Sequence, residues 1–130
     1  MKTDNKPSNL EEAIEHLMAH MQKTDLEKLK NSGEATYLHH GLGTGIRNSF
    51  GLWDRESILH KWFKETGIWH ADDMSSIILE SLRRALQGKP IELESQVSYY
   101  QAYWEKMRSG QTVEIKYEIG DKECTVLVRP

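Results

Sequence analysis

His39, His40, Arg47, His70, Asp72 and Asp73 are the residues from which this chain could build chemistry. Histidines and carboxylates held together can bind a divalent metal and activate water. The run Gly41-Leu42-Gly43-Thr44-Gly45 could offer backbone N–H groups to a phosphate, with Arg47 supplying charge. One reading is therefore a phosphate- or nucleotide-handling enzyme, or a small-ligand binder, using the His39–Arg47 segment and the His70–Asp73 turn. The other reading is a structural lock. In it Arg47 pairs with Asp72 or Asp73, one aspartate caps its helix, a histidine bonds a carbonyl, and Asn48 holds backbone at a helix end.

Several signatures are missing from the first reading. No alternating strand precedes the glycine run, and neither the dinucleotide fingerprint nor the P-loop is present. There is no His-Asp dipeptide of the kind used by helical metal-dependent phosphohydrolases, and no Gly-x-Ser-x-Gly. His16 and His20 stand four apart, a spacing that suits zinc, but they lie on a polar helix face without a third ligand nearby. The sequence therefore leans away from an enzyme. It assigns no catalytic residue, no metal and no cofactor.

These residues must be positioned by helices. Residues 1–7 read as a flexible leader. Ser8-Asn-Leu-Glu11 has the capping-box pattern, and Leu10, Ile14, Leu17, Met18 and Met21 share a face of the helix it opens. A second box at Thr24 opens a short helix to Lys30. Leu38, Leu42 and Ile46 step by four, so residues 34–48 read as a helix despite three glycines that each cost up to ~1 kcal/mol. There Gly41, Gly45 and Ser49 would form a small stripe against which another backbone packs. Asp54 is expected to cap a helix with Ile58, Leu59, Trp62 and Phe63 facing inward, ending at Gly67. Asp72 and Asp73 open the next helix, about 72–87, whose broad apolar arc marks it as central and buried. A strongly amphipathic helix follows from Leu93 to Met107.

The tail changes period. Val113, Ile115, Tyr117 and Ile119 alternate with charged residues, and Gly120-Asp121 suits a two-residue turn. The shorter turn sets Tyr117 opposite Cys124, Ile115 opposite Val126, and Val113 opposite Val128. The expected class is α+β, mostly α: five or six helices around the 72–87 helix with a C-terminal β-hairpin at about 112–129. Residues 8–130 read as one domain, divided into a helical core at 8–91 and an extension at 92–130.

Composition narrows the function. The chain has 130 residues and a net charge of −3, with no block of lysine and arginine, so general duplex binding is disfavoured. A single cysteine excludes an internal disulfide and any multi-cysteine zinc site, and suits a reducing cytoplasm. Neither a signal peptide nor a membrane-spanning run is legible.

The pattern His39-x-Gly41-Leu-Gly43-x-x-Ile46-Arg47-Asn48, then Gly51-Leu-Trp53, then Gly67-Ile68-x-His70-x-Asp72-Asp73-Met74-Ser75-x-Ile77-Ile78-Leu79, resembles a family of small bacterial and phage-borne proteins with a domain of unknown function. The resemblance spans roughly Leu10 to Ile91. Gly45 stands where that pattern has a bulky residue, Ser49-Phe50 where it has Asn-Trp or similar, and Ala71 where proline is frequent. The resemblance implies a mostly helical fold and no activity. Its phage-borne members suggest a role in phage–host conflict.

The favoured function is a small cytoplasmic protein-interaction module that binds another macromolecule. Candidate ligand or partner residues are His39, His40, Gly41, Gly43, Arg47, Asn48, Trp53, His70, Asp72 and Asp73. The four tryptophans are expected mostly in the core. Tyr99, Tyr100 and Tyr103 cannot all face inward on one helix. Tyr99, Tyr103 and Leu127 are therefore interaction candidates, with a homodimer through the hairpin edge as one expected association. No membrane contact is expected.

Overall fold

The computed structural model describes residues 6–31, 39–108, 113–119 and 122–128, with side-chain surroundings for 6–31 and 41–108. Helix α1 runs Leu10–His20. Asn9 caps it, accepting from the Glu12 N–H at 2.9 Å, while Glu12 accepts from the Ser8 N–H at 3.0 Å. The capping chemistry is the expected one, shifted by one residue from Ser8 and Glu11. Pro7, counted above with the leader, is already buried. Helix α2, Lys23–Asn31, buries Leu29.

Residues 34–38 of the expected glycine-rich helix lie outside the described residues. The remainder is a π-helical turn, His39–Gly43, followed by α3, Thr44–Ser49. Three glycines in five positions weaken a regular helix, and the backbone here takes the rarer, wider turn. Helix α4, Ile58–Thr66, is capped by Ser57, whose hydroxyl accepts from the His60 N–H at 3.0 Å. Asp54, the expected cap, instead holds the preceding turn through the Glu56 N–H at 2.9 Å. Gly67 ends α4 at a φ of 109°, a conformation that favours glycine. A Cβ there would also collide with the Gln101 side chain.

Helix α5, Ala71–Leu86, touches α1, α2, the π-helical turn, α3, α4 and the last helix, α6, Leu93–Arg108. Its buried residues are Met74, Ser75, Ile77, Ile78, Leu79, Ser81 and Leu82. Leu10, Ala13, Ile14 and Leu17 of α1, Leu29 of α2, Ile46 of α3, Leu59 and Phe63 of α4, and Phe50, Leu52, Ile68 and Val97 join them in the buried core. Gln96 of α6 donates to Ser81 Oγ at 3.2 Å beside Val97, which fixes α6 on the body.

The α+β class with a hairpin in its architecture is corrected to a helical one. Among the residues whose side-chain packing is described, the last buried core residue is Val97 and none lies in a strand. Farther along, the backbone segments Val113–Ile119 and Lys122–Val128 run antiparallel, with Tyr117 opposite Cys124 and Val113 opposite Val128. A two-stranded ribbon makes no independent layer. The side chains of Leu127 and Cys124 lie outside the described residues. Among the described residues, no helix is long and apolar enough to cross a membrane.

Candidate functional site: the two faces of the α5 N-terminus

The chain enters α5 through Ile68, Trp69 and His70. His70 stands at the N-cap position without a capping side-chain bond. Neither Asp72 nor Asp73 caps the helix; both lie in its first turn, where the helix dipole favours a carboxylate. The hydroxyls of Ser75 and Ser76 donate to the Asp72 carbonyl at 2.9 and 2.8 Å. From this turn the two aspartates serve different surroundings.

Asp72 belongs to a closed cluster around Arg47. The buried guanidinium donates from Nη1 to Ser75 Oγ at 2.8 Å and from Nη2 to Thr44 Oγ1 at 3.0 Å. Nε lies 3.4 Å from Asp72 Oδ1 but makes no aligned hydrogen bond among the described residues. The contact is thus a charge pairing, and an asymmetric one: the Arg47 side chain is 11% exposed and that of Asp72 70%. The guanidinium carbon also sits 5.6 Å from the centre of the Trp53 ring, whose Nε1–H donates to Asn48 Oδ1 at 3.0 Å. Arg47, Asn48, Trp53 and Asp72 therefore converge, and they bind one another. Asn48 holds an indole, where a helix-end backbone contact was expected.

The glycines Gly41 and Gly45 of the candidate phosphate cradle are not packed against this cluster. Gly41 and Gly45 are exposed, and a Cβ built on either meets nothing within 4 Å among the described residues. That also corrects the expectation that these glycines pack against another backbone. Gly43 is buried. His39 and His40 contribute backbone to the π-helical turn; their side chains lie outside the described residues.

Asp73 faces the other way, into an open groove of about 620 Å³ between the Gly67–Asp73 link and the C-terminal half of α6. Its Oδ2 accepts from the Trp104 Nε1–H at 2.7 Å. The Trp104 ring stacks on His70, with centroids 4.0 Å apart. Burial raises the Asp73 carboxyl above its ordinary value and Asp72 adds to this, while the Trp104 hydrogen bond and His70 pull it back. Burial pushes the neighbouring Tyr100 hydroxyl up to about 12, against a hydrogen bond with Ser76. Trp69 lines the same groove, with Lys64 Nζ 5.1 Å from its ring centre. Tyr103 packs edge-on against Trp104, and Tyr99 edge-on against Tyr100. Tyr103 is half-buried and Tyr99 exposed.

Several expectations need correction. Trp53 and Trp69, expected mostly in the core, are 61% and 63% exposed, and Ile58, placed on the inner face of α4, is 66% exposed. The inner position of α4 goes to His60, which sequence reasoning passed over. His60 is buried, and its Nδ1 lies 2.8 Å from the Leu52 carbonyl oxygen. Its spacing beside Leu59 and Phe63 was the available signal. His16 is half-buried, stacked on His20 and edge-on to Phe50, so it is not a freely solvated residue. Burial and the neighbouring His20 lower its pKa. Among the described residues, no three histidine, cysteine or acidic side chains gather as a metal site.

No curated protein and no solved structure matches this chain. A family described as a domain of unknown function, DUF6794, matches residues 6–86, which takes in α1 to α5 with both the Arg47 cluster and the floor of the groove but not α6. By that match over more than half its length, the chain belongs to the DUF6794 family.

Proposed function

We propose that this protein is a small cytoplasmic interaction module that binds another protein, with Trp53 as the anchor. One observation carries the reading: Trp53 is largely exposed yet fixed from two sides, by Asn48 and by the buried Arg47. Exposed aromatic rings normally cost entropy when a partner immobilises them. A ring already held in place avoids much of that cost and supplies a large contact area. In support, the arginine that could serve a phosphate donates to Ser75 and Thr44 and lies beside this ring. A setting in phage–host conflict rests only on the resemblance to phage-borne proteins.

Affinity capture from the native host with wild-type protein and with Trp53→Ala tests the proposal. Because the ring lies outside the core, the variant should stay folded, with stability changed by no more than about 1 kcal/mol. The expected result is a partner held by the wild type and lost by the variant, as for an anchor worth ~2 kcal/mol or more. Equal capture by both proteins overturns it.

A further inference from the structure

The groove beside Asp73 stands apart from the Trp53 surface, and its chemistry is selective. Its floor carries a partly buried carboxylate, and its walls are flat aromatic rings: the stacked His70–Trp104 pair, Tyr100 and Trp69. Asp73 and Glu105 disfavour an anion here, and among the described lining residues Arg108 is the one lysine or arginine. Trp104 engages Oδ2 of Asp73, and among the described residues Oδ1 is left to accept from a ligand. An aromatic wall of this groove already attracts a cation, since Lys64 lies over the Trp69 ring. The volume, about 620 Å³, lies within the range of small-ligand sites.

We infer that this groove binds an organic cation with a planar guanidinium head, using Asp73 as counter-ion and the Trp104 and Tyr100 rings as walls. A guanidinium suits the site better than a compact ammonium. It is flat, stacks on aromatic faces, is more weakly hydrated, and offers several N–H donors to a carboxylate. Burial disfavours the charged form of Asp73, and a bound cation would offset that cost. Such a head can arrive as a free small molecule or as an arginine side chain in a partner.

The experiment titrates the full chain with ethylguanidinium while following the Trp104 Nε1–H resonance, with neutral ethylurea as the shape-matched control. A saturable shift with the cation and none with the urea is expected. Asp73→Asn keeps an oxygen acceptor for Trp104 but removes the charge, and should weaken binding by about tenfold or more. Trp53→Ala should bind ethylguanidinium as the wild type does, so this inference and the anchor role of Trp53 fail separately. Tighter binding of a short arginine peptide than of ethylguanidinium assigns the head to a protein partner; equal or weaker binding assigns it to a small molecule. The inference is overturned if ethylguanidinium gives no saturable shift, or if ethylurea binds as well. Unchanged affinity in Asp73→Asn overturns it too. The comparison of cation with urea needs no variant, so it stands even if Asp73→Asn fails to fold.

Discussion

Asp72 and Asp73 are adjacent, in the same helical turn, and α5 separates their work. On one face Asp72 sits at the edge of a cluster that binds mostly to itself: Arg47 donates to Ser75 and Thr44 and Trp53 to Asn48, while Arg47 Nε has only the charge of Asp72 beside it. On the other face Asp73 sits inside a groove, with one oxygen on Trp104 and open volume around it. In the sequence the two stand as alternatives for the partner of Arg47 and for the cap of the helix. A helix turns about 100° per residue, so neighbours in its first turn point to different neighbourhoods. Here one carboxylate lies largely in solvent at the rim of the Arg47 cluster and the other lines a partly buried groove.

The largest expected effect breaks the cluster from its buried end. Arg47→Ala removes two charged hydrogen bonds and a buried aliphatic stem, and should cost ~2–3 kcal/mol. This is less than the ~3–5 kcal/mol expected when both charges of a pair are buried, because Asp72 is left in solvent. Asp72→Ala should cost only ~0–1 kcal/mol. Denaturant titration of both variants measures the asymmetry, and equal losses would show the pair to be buried at both ends.

A smaller effect tests the glycines beside the cluster. Gly45 lies in α3 with open space where its Cβ would go. Gly45→Ala should therefore stabilise the protein by ~0.5–1 kcal/mol through helix propensity. A loss of stability in thermal melting would restore the close-packed reading of the glycine stripe.

The smallest effect belongs to the groove and depends on pH. Asp73 in the folded protein titrates above its ordinary 3.8. Between that value and the raised one, the folded state holds more protons than the unfolded state, so acidification stabilises. The destabilising contribution of the ionised carboxyl is present at neutral pH and disappears as pH falls through the raised value. Asp73→Asn should thus melt slightly higher than wild type at pH 7, with the gap closing in acid. A gap that widens in acid would mean that the carboxylate is stabilised by the fold.

The helices were legible because their signals are local. The α5 arc of Met74, Ile77, Ile78 and Leu82 and the stop at Gly67 need only spacing and one backbone preference. The pairing of Arg47 with the α5 turn was also legible, since an arginine and two aspartates in one compact motif leave few choices. Exposure was not. Trp53, Trp69 and Ile58 look like core by type, and only the three-dimensional closure of α5 against its neighbours shows that the core is already full without them. The Trp104–Asp73 bond joins positions 31 residues apart, and no periodicity on either helix announces it. The tail pattern was locally strand-like, yet local pattern does not decide which segments build the core.

The foothold of α6 has a consequence for how this body can be re-addressed. Gln96 and Val97 attach the helix to α5 and the core, whereas Tyr100, Gln101, Trp104, Glu105 and Arg108 line the groove. Attachment and recognition are thus written in successive turns of one helix, beyond the stretch that the DUF6794 family covers. A replacement helix that kept Gln96, Val97 and Tyr100, which also packs on the core, and changed the turns after them would alter the groove while leaving the packed interior in place.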